Sequence, residues 1–314
     1  MGAGRNIGGR AVQVVSVGEV MIELVRAPDG RFELGSSGDT YQTAVHLSRS
    51  GVKVALATAL GDDRYSEQAL ASVAAEGIAT NLVLRVNDRV PAIALVEAGD
   101  QTERQSEIWR DASPACQLFE LPGWDRVAEQ LVSANLVYFS GVTLSLYSNV
   151  GLGRMLAALE FARERGARIA FDSNWRFASW RSEDQRARAV FSEALKRADL
   201  ALPSFEDEAR LWGDASPQTT IERLLTFGVR EIVVKNGARP ALVHADGKTE
   251  EVPVPQKIAS TSGVAAGDAF NAGYLAARLR KESPADAALA GHRLAAEILS
   301  GSPPARQNAG KTTH

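Results

Sequence analysis

Val54-Ala55-Leu56-Ala57-Thr58-Ala59-Leu60 carries no charge, no glycine and no proline. An unbroken apolar run of this length suits a strand buried on both faces, not one with a wet face, whose pattern would alternate. Val12–Val17, Leu136–Phe139, Ile169–Phe171, Leu200–Leu202 and Glu231–Lys235 have the same mostly apolar character. Between these runs Tyr41–Ser50, Ser66–Glu76, Trp124–Ala134, Gly151–Glu164, Glu183–Arg197 and Thr219–Phe227 read as helices. Strand and helix in alternation spell βαβ units, so the expected fold is α/β, with a mostly parallel, doubly wound sheet between helices.

Two stretches break this rhythm. Glu23–Leu34 holds Pro28, Asp29 and Gly30 between extended segments. Ala92–Glu97 and Arg104–Trp109 flank Ala98, Gly99 and Asp100. Both read as hairpins. Inserted near 22–35 and 89–112, they would form a small β lid on one domain spanning 11–300. The Gly-, Pro- and Ser-rich segment 301–314 reads as a flexible tail.

The chain has 314 residues, with 35 Lys and Arg against 38 Asp and Glu, a net charge of −3. That balance speaks against a nucleic-acid partner, which would need a clustered positive surface. A hydrophobic share of 45% with 23% charged residues fits a sizeable core and argues against disorder. Cys116 is the single cysteine, so no intrachain disulfide is expected, and it reads as an inert thiol. The uncharged stretch from Gln130 to Gly153 is interrupted by Ser, Thr, Asn and Gly and does not read as a membrane span. Arg5 and Arg10 lead into no apolar signal core, and Asn6 breaks the myristoylation pattern, so the cytoplasm is the default location.

In a doubly wound sheet, ligands sit beyond the carboxyl ends of the strands. The strongest local signal is Val264-Ala265-Ala266-Gly267-Asp268-Ala269-Phe270-Asn271-Ala272-Gly273-Tyr274-Leu275, where small residues run into a helix. The first N–H groups of a helix are unsatisfied and its dipole favours negative charge. Ala265, Ala266 and Gly267 let a ligand approach the backbone closely, a possible anion hole for a phosphate in transfer. Asp268 beside it can accept a proton from an attacking hydroxyl, or be merely a dipole-favourable acid at a helix start. In Gly35-Ser36-Ser37-Gly38-Asp39-Thr40, Asp39 either bonds sugar hydroxyls or caps the following helix. Asp172, Asn174 and Arg176 crowd the end of one strand, and Lys235-Asn236-Gly237 end another in a turn suited to a nucleotide.

From Val14 to Leu299 the chain resembles the ribokinase-like (PfkB) sugar kinases, and among them the 2-keto-3-deoxygluconate kinases. The residues that carry the resemblance are the Gly-Asp helix start, Gly38-Asp39-Thr40, Glu103-Arg104 with Trp109-Arg110, Ser140-Gly141-Val142-Thr143-Leu144, Asp172-Ser173-Asn174-Trp175-Arg176 and His292-Arg293-Leu294-Ala295-Ala296. The resemblance implies a three-layer ribokinase-like sandwich and ATP-dependent phosphorylation of 2-keto-3-deoxygluconate to its 6-phosphate, with Mg²⁺. Asp268 would be the base, and Ala265, Ala266 and Gly267 the anion hole. Lys235, Gly237, Ser204 and Asn271 would border the nucleotide. Gly38, Asp39, Gln42, Asp172, Arg110 and Arg176 would bind the sugar acid. Two arginines suit an acid, since guanidinium pairs bidentately with carboxylate. Alternatively Arg176 makes a salt bridge to Asp172 or a neighbour and Arg110 is a lid surface residue. The magnesium-linked acid would be Glu208 or Asp207, in a run that also reads as a solvated helix N-terminus. The partner implied is a small sugar or sugar acid, with homodimers through the lid.

The chain departs from the family pattern in places. Ser262-Gly263-Val264 stands where Asp-Thr-Thr is usual, which touches monovalent-cation activation. Ile108 and Ala94 stand where tyrosines are frequent, and Gln42 where Asn is. Lost hydrogen-bond partners weaken discrimination, so a related sugar acid or ketose is an expected alternative substrate. A kinase for a neutral, fructose-like sugar or a nucleoside, and a catalytically weak sugar-binding protein, are the competing readings.

Overall fold

The computed structural model describes residues 12–301, except 28, 97–105, 182, 257 and 259–265. Its first half runs β1 (Val14–Val17), β2 (Met21–Arg26), β3 (Phe32–Ser37), α1 (Asp39–Arg49), β4 (Val54–Leu60), α2 (Arg64–Ala75), β5 (Val83–Arg85), β6 (Ile93–Val96), β7 (Ser106–Trp109), α3 (Trp124–Ser133) and β8 (Leu136–Ser140). There follow α4 (Gly141–Leu146), α5 (Asn149–Glu164), β9 (Arg168–Asp172), α6 (Asp184–Leu195), β10 (Leu200–Ala201), α7 (Phe205–Trp212), α8 (Pro217–Thr226), β11 (Glu231–Val234), β12 (Ala241–Ala245), β13 (Lys248–Val252), α9 (Ala266–Leu279) and α10 (Pro284–Leu299).

The described strands form two sheets. The larger has the order β13-β12-β11-β10-β9-β8-β1-β4-β5. From β5 to β11 neighbouring strands pair parallel; β12 and β13 add an antiparallel edge. The chain starts in the middle at β1, builds outward through β4 and β5, then returns to β8 and builds the other way. The strand order therefore reverses at β1 and β8, where a crevice opens beyond the strand ends.

The apolar runs form strands because each side of the sheet has a helical layer to bury them. On one side Val15, Val17, Val137 and Phe139 pack with Leu131 of α3, Met155 of α5, Phe191 of α6 and Ile221 of α8. On the other, Val14, Leu136 and Tyr138 pack with Ala44 of α1, Val73 of α2, Phe270 of α9 and Ala288 of α10. Alternate residues of one strand thus enter different cores, the three-layer arrangement expected from the sequence. Helix starts follow local capping chemistry: Asp63 accepts from Tyr65 N and Ser66 N ahead of α2, and Ser283 accepts from Asp286 N ahead of α10, with Pro284 opening the helix.

The two expected hairpins form. β2 pairs antiparallel with β3, and β6 with β7. They join through a parallel β2–β6 pairing into a second sheet of order β3-β2-β6-β7. Pro28 and the residues 97–105 of the second connection, with Glu103 and Arg104, lie outside the described residues. So does 302–314 of the expected tail. Three elements had no clear pattern in the sequence. β13 is exposed along Lys248-Thr249-Glu250-Glu251 and presents no apolar run. α7 opens on three acids, and α4 is a short turn capped by the Ser140 side chain.

Gly141 sits where β8 becomes α4, and a Cβ there would run into the Ser173 carbonyl oxygen and the Phe191 ring. This close approach lets the β8 and β9 ends converge on the crevice. Gly141→Ala is expected to lower stability by about 1–3 kcal/mol, as overpacking does. Urea unfolding midpoints of the two proteins measure it.

Candidate active site

The crevice is a cleft of about 2280 Å³. It is lined at the strand ends by Glu19 after β1, Asp172 and Asn174 after β9, Ser204 after β10 and Lys235 after β11. Gly38, Asp39 and Gln42 reach it from α1, and Gly267 and Asp268 from α9. Arg110 enters from the end of β7, and Arg176 from the loop beyond β9. The second sheet adds Met21, Ala94 and Ile108.

The first turn of α9 is built on a buried polar network. Lys235 Nζ donates to Asp172 Oδ2 at 3.1 Å and to Asn271 Oδ1 at 3.0 Å. Asn271 Nδ2 donates to Asp172 Oδ2 at 2.6 Å and to the Tyr138 hydroxyl at 3.0 Å. Thr43 Oγ1 donates to the same hydroxyl at 3.3 Å and lies 3.4 Å from the Asp268 carbonyl oxygen. An ammonium has three donors, and the two bonds to Asp172 and Asn271 leave one for a ligand. A Cβ on Gly267 would lie 3.9 Å from Lys235 Nζ. The ammonium therefore faces the same turn as the unsatisfied helix N–H groups. Together they make a pocket for a phosphate-like anion. Ala266 opens the helix, whereas Ala265 and Ser262-Gly263-Val264 lie outside the described residues.

Burial pushes the Asp268 carboxyl well above the ordinary carboxylate range. The Asp39 and Asp172 carboxylates push the same way, while Lys235 and Arg176 oppose them. A carboxylate that holds a proton more tightly than usual is a better base than one at the surface.

Asp39 begins α1 and meets the cleft with one oxygen tied to Asn174 Nδ2 at 2.7 Å and the other to its neighbour's N–H, Thr40, at 2.8 Å. Asn174 has a left-handed backbone, φ 28, a conformation asparagine tolerates better than most residues. Its own N–H donates to Asp172 Oδ1 at 3.2 Å. One strand end thus ties the α1 acid to the α9 network. Gly38 has φ 144, and a Cβ there would strike the Glu19 carbonyl oxygen, so glycine is needed to bring Asp39 in.

Arg176 makes the salt bridge to a neighbour that the sequence allowed, whereas Arg110 departs from the lid-surface alternative. Arg176 pairs with Asp207 Oδ1 at 3.4 Å, not with Asp172, and its side chain is 58% exposed at the mouth of the cleft. Arg110 is no surface residue: its side chain is 15% exposed, with Nε 3.5 Å from Glu19 Oε2. Asp207 is pushed up to about 6, chiefly by burial, with Arg176 opposing. Neither Asp207 nor Glu208 lines the cleft; both are buried, and Glu208 is paired with Arg223. Gly237 lies in the turn after β11 with φ 61, away from the cleft lining, and Asn271 lies beneath the cleft in the network. Among the described residues no group of three or more His, Cys, Asp or Glu is placed to hold a metal. The Cys116 thiol is pushed up to about 12 by burial, which keeps it protonated and inert.

Sequence reasoning omitted Glu19 and Tyr138. Glu19 was open to the strand-end rule, since Gly18-Glu19 directly follows an apolar run. Tyr138 lies inside a strand and carries no such signal.

The family model described as pfkB family carbohydrate kinase matches residues 12–305. A 2-dehydro-3-deoxygluconokinase of Dickeya dadantii (strain 3937) is 34% identical over 295 residues, covering 91% of this chain and 94% of that protein. The crystal structure of a PfkB protein from Polaromonas sp. JS666 superposes with TM-score 0.82 at 25% identity, over 93% of this chain and 97% of that one. A putative ribokinase II from E. coli, in complex with ATP and Mg²⁺, matches with TM-score 0.79 at 18% identity, over 94% and 96% of the two chains, a likeness of fold. The architecture is ribokinase-like.

Asp172→Ala would strand the Lys235 ammonium and the Asn271 amide in a buried site. A loss of about 3–5 kcal/mol is expected, as when one partner of a buried ion pair is removed. Thermal unfolding reads it, and Asp172→Asn, which keeps the bond to Lys235 but loses the charge, should fall between.

Proposed function

The chain belongs to the pfkB family of carbohydrate kinases, and we propose that it transfers the γ-phosphoryl group of ATP to the 6-hydroxyl of 2-keto-3-deoxygluconate. One observation carries this reading: the Asp268 carboxyl stands on the first turn of α9, beside Gly267 and Lys235, in the same cleft as Asp39, Arg110 and Arg176. A base, an anion pocket and two guanidinium groups are what a sugar acid and a nucleotide tail need together.

In this reading the sugar hydroxyl oxygen attacks the γ-phosphorus in line. The bond from that phosphorus to the β–γ bridging oxygen breaks, ADP leaves, and the hydroxyl proton passes to Asp268. The helix N–H groups and Lys235 hold the charge on the transferred oxygens. Arg110 and Arg176 hold the acid's carboxylate, and Asp39, fixed by Asn174, takes a sugar hydroxyl. Magnesium, when bound with the nucleotide, neutralises phosphate charge. The donor set fits an ion carried mainly by phosphates and water, since Asp207 is paired with Arg176 and Glu208 with Arg223.

A substrate related to ketodeoxygluconate has support from the second sheet. Ala94 and Ile108 face each other across β6 and β7, and both line the cleft without a hydrogen-bonding group. The second sheet also exposes Phe32 at 48%, Leu34 at 43% and Trp109 at 58%, an apolar face that a second copy of the chain would cover.

Assayed with ATP against a panel of sugar acids and neutral ketoses, ketodeoxygluconate is expected to show the highest kcat/KM. A neutral ketose in first place would reject the assignment. Arg176→Met should raise KM for the acid by roughly 10–100-fold, the range for losing a charged hydrogen bond, and leave a neutral ketose nearly unaffected.

Asp268→Asn should lower kcat by about 10²–10⁴-fold. Its stability effect has the opposite sense. A carboxyl whose folded pKa is raised supports the fold fully below its unfolded value, and that support is lost as pH rises through the folded value. The Asn variant should therefore melt at the same or a higher temperature than wild type at about pH 8, and the difference should vanish near about pH 4. The acid limb of kcat/KM should lie above the ordinary carboxylate value of about 4.

A further inference from the structure

Glu19 follows the carboxyl end of β1, a strand in the middle of the central sheet, and is 3% exposed. Neither of its carboxylate oxygens has a hydrogen-bond partner. Arg110 Nε, 3.5 Å away, is also without one. Burial raises the Glu19 carboxyl, with Arg110 and then Ser113 opposing it, and the Ser113 hydroxyl too is without a hydrogen-bond partner. All three residues line the cleft.

Such a pair adds little to stability. Two charges taken out of water at this separation, without hydrogen bonds, recover little more than their desolvation penalty. Buried polar atoms without partners call for a reason other than packing. Glu19 stands in the connection from β1 of the central sheet to β2 of the second, and Arg110 stands directly after β7 of the second sheet, so the pair ties the end of β7 to the junction of the two sheets. A guanidinium presents Nε on one edge and two terminal nitrogens at its end. With Nε turned toward Glu19, that end is engaged by a long bond from one terminal nitrogen to Ser179 Oγ at 3.4 Å. Its donors remain in hand for a planar anion.

We propose that Glu19 is a positioning residue, whose buried carboxylate holds the Nε edge of Arg110 so that the terminal nitrogens take the carboxylate of the sugar acid. This rests on the reading of Arg110 as a ligand of that acid. Glu19 then governs selectivity for acids without touching the substrate.

The test is a double-mutant cycle of Glu19→Gln and Arg110→Ala, with KM for ketodeoxygluconate, KM for ATP, kcat and melting temperature measured for each protein. Glu19→Gln keeps the shape and removes the charge. It is expected to raise KM for the acid about tenfold, with KM for ATP and kcat within about twofold, and with an unchanged or higher melting temperature. Added to Arg110→Ala, it should change nothing further. Three outcomes would overturn the proposal. Glu19→Gln could leave the acid's KM unchanged while Arg110→Ala raises it. The two effects could add, which would mean that Glu19 acts on the substrate directly. Glu19→Gln could lower the melting temperature and raise both KM values alike, the mark of a structural role. If Arg110→Ala itself leaves the acid's KM untouched, the ligand reading of Arg110 falls and the proposal with it.

Discussion

A lysine ammonium held inside a protein must be paired, and the pairing of Lys235 organises this cleft. Asp172 from β9 and Asn271 from α9 take two of its donors, and Asn271 in turn reaches Tyr138 of β8. Strands from the middle of the sheet and the helix that carries Asp268 are thereby locked to one buried point. The low dielectric that makes an unpaired ammonium costly also makes its remaining donor strong toward a phosphate. Structure and electrostatics are served by the same bonds.

Negative charge is concentrated around this point. Asp39, Asp172 and Asp268 are near enough that the first two raise the third. In water such crowding would be dispersed by solvent and side-chain motion. Here the acids are fixed from both sides: Asp172 by Lys235 and Asn271, Asp39 by Asn174 and the backbone of Thr40. That leaves Asp268, among the described residues, as the acid outside these bonds. Burial raises the Asp268 carboxyl most, and the neighbouring carboxylates of Asp39 and Asp172 add to it.

The second sheet gives the cleft its other wall. Its contribution near the substrate is mainly apolar, through Met21, Ala94 and Ile108, with Arg110 at the margin. An apolar wall excludes water from phosphoryl transfer and strengthens every charge interaction it covers. The Glu19–Arg110 pair sits at the same margin, where the connection from β1 to β2 meets the end of β7.

The sequence alone determined the fold class, because it rests on local patterns: apolar runs too continuous for a half-wet strand, helical periodicity between them, and Gly and Pro at the hairpins. It also singled out Asp268 and Asp39 at helix starts and Asp172 and Lys235 at strand ends, which the family resemblance gathered into one site. Tertiary structure decided what each side chain pairs with. Arg176 turned to Asp207 of α7, Glu208 turned away to Arg223, and Tyr138 entered the site from inside a strand that looks like ordinary core. Pairing depends on distances between elements far apart in the chain, such as the 135 residues separating Asn174 from Asp39. No local pattern encodes those distances, since they are fixed only when the two cores pack on either face of the sheet.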